Sequence, residues 1–271
     1  MAGFTGYDDL INQITTNGQY DDGQGFKVGS AMQGAGSWHR LWIAAGLPAA
    51  GAEPATTPGT SYSGSTTAIT FANVSTKQRY LLSFGACATQ NTMLMVYDRL
   101  VGVSGISTAS TGNKTVNSTT LPRYTSGTNV QCWLEVTTAS TTTIATVNLS
   151  SYTGDVNGAS QVGGNISFPA AATVKDCAIG PLPIAAGDKG VKSVQVGLNV
   201  GTANTAGVVN VVLIRPLAYL PLIANQWNER DLVLQIAALP QIFDGASLSF
   251  YALATATTAT NFWMNLRTAY N

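Results

Sequence analysis

Residues 79–100, RYLLSFGACATQNTMLMVYDRL, hold two apolar runs, 80–88 and 93–97, hinged on the polar tetrad 89–92. Runs of this length bounded by turn residues are too short for a typical helix. They predict paired β-strands covered on both faces. The design recurs at 135–149 (EVTTASTTTIATVNL), 193–213 (SVQVGLNVGTANTAGVVNVVL) and 247–266 (SLSFYALATATTATNFWMNL). The first and last copies agree further: GACATQNTMLMVYDRL and YALATATTATNFWMNLR each run small-residue strand, Thr-rich turn, bulky strand, charge. The expected fold is mainly β: an antiparallel, jelly-roll-like β-sandwich built from repeated hairpins, with an extended N-terminal arm. Residues 82, 84, 96, 133, 213, 250 and 263 are its expected core.

The arm is residues 1–65 and the sandwich 66–271, read as one domain or as two lobes divided near the Gly- and Asn-containing stretch 157–164. Within the arm, residues 7–13 predict a short helix with Thr5 as cap and Asp8 and Asp9 at its positive end. Trp38, Leu41 and Trp42 follow at i, i+3, i+4 spacing before Gly46 and Pro48. Such a face is too small to make its own core, so the three residues are the candidate partner-binding anchor; the alternative is that they fold back on the sandwich. Further along, 104–120 reads as a surface loop. Residues 215–223 carry two prolines, which argues against a central strand. Residues 228–239 suit a helix, or a strand over 232–236.

Only 10% of the 271 residues are charged, against about 25% in ordinary soluble domains. Two accounts are open: a Thr/Ser/Asn surface that stays soluble without charge, or a surface largely buried against other subunits. The size of the deficit favours assembly. Thirteen basic and thirteen acidic residues balance with no basic run, which argues against nucleic-acid and anionic membrane partners. The uncharged stretches 193–214 and 245–266 are rich in Thr, Asn, Ser and Gly and read as strands rather than membrane spans. No signal-peptide pattern opens the chain. Cys87, Cys132 and Cys177 have no metal spacing and fit a reducing compartment.

The sequence completes none of the common catalytic patterns. His39, the only histidine, lies between Trp38 and Arg40 and reads as structural. GTSYSG and GVSGIS miss the closing glycine of GxSxG, and GQGFKVG lacks the dinucleotide-loop spacing. Asp98 and Arg99 read as a local ion pair at the sheet rim. Trp133, Trp227 and Trp263 read as core. The expectation is no enzyme, no cofactor and no metal.

Several segments resemble capsid decoration (cement or auxiliary head) proteins of tailed bacteriophages: SWHRLWIAAGLPAAGAEP, MVYDRLVGVSG, TLPRYTSGTNVQCWLEV, AAGDKGVKSVQ and LPQIFDGASLSFYALA. The resemblance implies a β-sandwich bound to the capsid exterior of a virion made in the host cytoplasm. Its implied partners are the major capsid protein and itself, as a homotrimer. It carries over no catalytic residues. The alternative function is a tail or head-surface module that adheres to host glycans.

Overall fold

The computed structural model describes residues 3–31, 36–139, 146–166, 175–200 and 207–271. The turns of the repeated units at 140–145 and 201–206 lie outside them. The described residues form helix α1 (Tyr7–Thr15) and strands β1 (Tyr20–Ala31), β2 (Trp38–Arg40), β3 (Gly46–Leu47), β4 (Thr60–Ser61), β5 (Arg79–Ala88) and β6 (Thr92–Ser107). There follow β7 (Gly112–Thr115), β8 (Gln131–Thr138), β9 (Val147–Asn148), β10 (Ser151–Gly154), β11 (Cys177–Ile179) and β12 (Val191–Val200). The last are β13 (Val208–Leu222), β14 (Asn228–Asp231), β15 (Gln241–Ile242), β16 (Leu248–Ala254) and β17 (Ala259–Tyr270). Strand makes up 49% and helix 6% of the described residues, so the protein is mainly β.

Every ladder is antiparallel, and the strands form three sheets. An outer sheet runs β14–β5–β17–β1–β3, with β15 also on β5. The central sheet runs β13–β8–β11–β2–β16–β6, and pairing of β6 with β13 closes it into a barrel. A third sheet, β10–β12–β7 with β9, covers the other side. The outer-sheet core includes Phe84, Phe262 and Leu266 against Val96, Leu220 and Phe250 of the barrel. A second core joins Leu134, Val136 and Val211 to Val147, Tyr152 and Val194. The barrel interior holds Met95, Tyr97, Trp133, Ile214 and Tyr251.

The four repeated units are not hairpins. In each, the first and second strands enter different sheets: β5 and β6, β8 and β9, β12 and β13, β16 and β17. Each unit is a corner over a layer, and the resemblance between the first and last has a packing reason. Their corners meet: Thr89 Oγ1 accepts from the Asn261 amide at 3.0 Å, Thr92 Oγ1 donates to the Leu253 carbonyl at 2.6 Å, and the Thr255 hydroxyl donates to the Asn91 carbonyl. The bulky strand of each unit pairs with the small-residue strand of the other. Phe262 and Met264 lie opposite Ala88 and Ala86, and Leu94 lies opposite Ala252.

The N-terminal 65 residues are woven into the fold rather than extended as an arm. β1 lies between β17 and β3, and β2 lies between β11 and β16 in the barrel wall. Lys27 of β1 is buried, and its ammonium donates to the carbonyls of Ala44 at 3.1 Å and Pro48 at 2.7 Å. Nor does the chain divide near 157–164. Residues 100–213 supply the second core and the flanking segments supply the first, so the two cores are nested, joined by the long strands β6 and β13.

Other expectations are corrected by pairing. Helix α1 forms, but Gly6 occupies the cap position without a side-chain bond, and Asp9 accepts from the Thr5 amide instead. The loop expected at 104–120 carries the end of β6 and all of β7. Residues 228–239 form β14 and then a 3-10 turn, Val233–Ala238, in place of a helix. Pro216 and Pro221 do lie in a barrel strand. Pairing of β13 with β8 ends at Ile214, so beyond it β13 bonds only β6 and a missing N–H costs no second ladder.

Candidate functional site

Two features stand out once the layers are in place: charge sealed inside the barrel and aromatic surface left outside it. Arg99 and Glu135 are both fully buried and joined by two bonds of 2.6 and 2.9 Å. Glu135 also accepts from the Tyr251 hydroxyl at 2.7 Å and lies 3.6 Å from Arg40. Arg40 reaches outward to Glu53 and Asp176. Burial works to raise the Glu135 pKa, but Arg99 and Arg40 hold it down to about 2. Next to this, Asp98 takes a two-pronged contact from Arg123 at 2.9 and 2.7 Å. Asp98 and Arg99 therefore point to different interior partners instead of pairing at a rim. With the Glu135 and Asp98 carboxylates committed to arginines and shut from solvent, the network reads as internal wiring of the fold.

The sequence-predicted anchor is dispersed. Trp38 is part of β2, its ring edge-on to Trp133 at 5.9 Å. Leu41 enters the outer-sheet core. Trp42, 2% exposed, packs on Tyr62 and donates from Nε1 to the Ala52 carbonyl at 3.0 Å. A strand followed by a turn, not a helix, carries the triplet, so its members serve three different cores. This is the fold-back arrangement.

The exposed aromatics are elsewhere. On the outer face of the outer sheet, Leu47, Phe26, Trp263 and Cys87 lie opposite one another across β3, β1, β17 and β5. Leu47 is 63% exposed and Trp263 43%; Phe26 and Trp263 have ring centroids 5.2 Å apart. Trp227, 52% exposed, lies over Gly85 and shares a shallow cavity of about 300 Å³ with Phe26, Leu47 and Trp263. A Cβ at residue 85 would lie 2.5 Å from the Trp227 ring, so glycine is what lets that indole lie flat on the strand. Val28 extends the apolar row and Gln24 and Asn265 border it.

The signal for Trp263 was present in the sequence. In 261–267, NFWMNLR, the apolar Phe262, Met264 and Leu266 share one phase, while Trp263 alternates with Asn261, Asn265 and Arg267. Trp227 stands in the polar run NQWNERD. Among the described residues, no group of three His, Cys, Asp or Glu side chains could hold a metal ion.

No family model matches the chain, and no curated protein matches it. Among solved structures, the VP2 subviral particle of infectious bursal disease virus aligns over 96% of this chain and 85% of its own at 7% identity and a TM-score of 0.17. A D431N mutant VP2 of the same virus, in derived T=1 particles, aligns at 8% identity and a TM-score of 0.15. Likeness at that level carries no argument about relationship or role.

Proposed function

We propose that this chain is a structural virion protein that binds the outer surface of a bacteriophage capsid and decorates or cements it. The observation that carries the reading is the exposed row of Leu47, Phe26, Trp263 and Trp227 on a surface unusually poor in charge. Seven charged side chains, Lys27, Arg40, Arg79, Asp98, Arg99, Arg123 and Glu135, are buried, which leaves 19 of the 26 charged residues (26 − 7) for the exterior. Contiguous apolar area rimmed by polar groups is characteristic of surfaces covered by a protein partner. Large aromatics at such positions are typical binding hot spots, about 2 kcal/mol or more each. The resemblance to decoration proteins points to the capsid as that partner.

The test is co-sedimentation of purified protein with undecorated capsids. Wild-type protein should pellet with the shells at saturating stoichiometry. Trp227→Ala/Trp263→Ala should bind at least tenfold more weakly while melting within a few degrees of wild type. Equal binding by the double variant removes this face as the contact. Failure of the wild-type chain to bind any capsid removes the function.

A further inference from the structure

Five of the seven arginines are paired with carboxylates: Arg40, Arg79, Arg99, Arg123 and Arg267. The remaining two, Arg215 and Arg230, line the same cleft of about 660 Å³, and among the described residues no aspartate or glutamate lines it with them. Arg215 Nη1 donates to the Thr128 carbonyl at 3.4 Å, and Arg230 Nη1 to the Tyr219 carbonyl at 3.1 Å. Neither contact neutralises charge. Arg215 Nε is buried without a hydrogen-bond partner among the described residues. Burial pulls the Arg215 pKa below the usual arginine range, as expected for a guanidinium lacking a counter-ion.

The rest of the lining narrows the ligand. Arg215 lies 5.6 Å from the centroid of the Tyr124 ring, which packs edge-on to Phe243 at 4.7 Å. That pair gives an aromatic wall beside the guanidinium. Opposite in character are Thr125, Ser126, Thr128, Asn129, Gln235 and Gln241, whose hydroxyls and amides both donate and accept. A cleft of this volume is within the range of small-molecule sites and exceeds what a bare anion would fill. Planar guanidinium groups favour carboxylates bound through two parallel bonds. We propose that this cleft is a binding site for a carboxylated sugar, its carboxylate taken by Arg215 and Arg230, its hydroxyls by the amide and hydroxyl lining, and its ring by Tyr124 and Phe243. The inference is independent of capsid attachment, which is assigned to other residues.

Isothermal titration calorimetry on the full chain tests it, with glucuronate and N-acetylneuraminate as probes and glucose and inorganic phosphate as controls. At least one sugar acid should bind saturably, glucose should not, and phosphate should bind more weakly than the acid. Arg230→Gln, at an exposed position, should weaken the acid about tenfold, the loss of one charge-assisted bond. Arg215→Gln should do the same, with a thermal melt to show that it has folded; Arg230→Gln alone decides if it has not. The proposal is overturned if neither acid binds, if Arg230→Gln leaves the affinity unchanged, or if glucose or phosphate binds as tightly as the acid.

Discussion

Glu135 has no solvent around it, so its charge is set by Arg99, Arg40 and the Tyr251 hydroxyl. Its folded pKa of about 2 lies below the roughly 4.3 of an unfolded glutamate. A depressed carboxylate stabilises the fold fully above the unfolded value, and that contribution is lost as pH falls through the folded one. Between about pH 4.5 and 2 the protein should therefore lose roughly 3 kcal/mol from this residue. Urea unfolding across that range would measure it, with Glu135→Gln flattening the profile. Arg99→Met should cost about 3–5 kcal/mol, because it leaves a carboxylate buried with only Arg40 near it. The tryptophans give a sharper contrast. Trp133→Ala removes a ring that Trp38 and Tyr251 pack against and should cost about 3–5 kcal/mol. Trp263→Ala removes an exposed one and should stay within about 1 kcal/mol, though the two residues look alike in composition and hydropathy. Equal losses at the two positions would mean that the outer row is packed in solution.

At the level of elements, the apolar runs were legible as strands because their length and β-branched content speak locally. Their partners were not. A polar, Thr-rich turn of four residues reads as a hairpin when two strands are considered alone, yet β5 and β6 cross between sheets. What distinguishes a corner from a hairpin is the second corner stacked on it, some 160 residues away in sequence. The interior charges were hidden for a similar reason. Asp98 and Arg99 are neighbours in sequence but alternate across the strand, so each meets a partner that no spacing could indicate. The N-terminal segment was misjudged because its Gly, Asp and Gln content gives no apolar periodicity, while β1 takes its place by backbone pairing and by the buried Lys27. Deleting residues 1–64 should not release a folded sandwich, since it uncovers β17 and removes β2 from the barrel wall. The truncated chain should be insoluble or lack a cooperative melt; a soluble variant melting like wild type would restore the arm.

For the whole molecule, charge placement is the feature that the fold explains best. A chain already poor in charge buries Arg99, Glu135, Asp98, Arg123 and Arg40, where they are paired, and leaves an apolar row on its outermost sheet. Attachment through such a face relies on removing aromatic and aliphatic area from water, with few ions to screen. Raising sodium chloride from about 0.1 to 1 M shortens the screening length from roughly 10 to 3 Å, which weakens contacts between exposed charges but hardly touches apolar ones. We therefore expect binding to capsids, and any trimer the chain forms, to persist across that range, and excluded salts such as sulfate to strengthen both. Analytical ultracentrifugation over the salt series would follow the trimer, and co-sedimentation would follow the shell. A loss of tenfold or more in either affinity at 1 M sodium chloride would assign that contact to the remaining surface charges. The face bearing Trp227 and Trp263 would then have to be covered by something else.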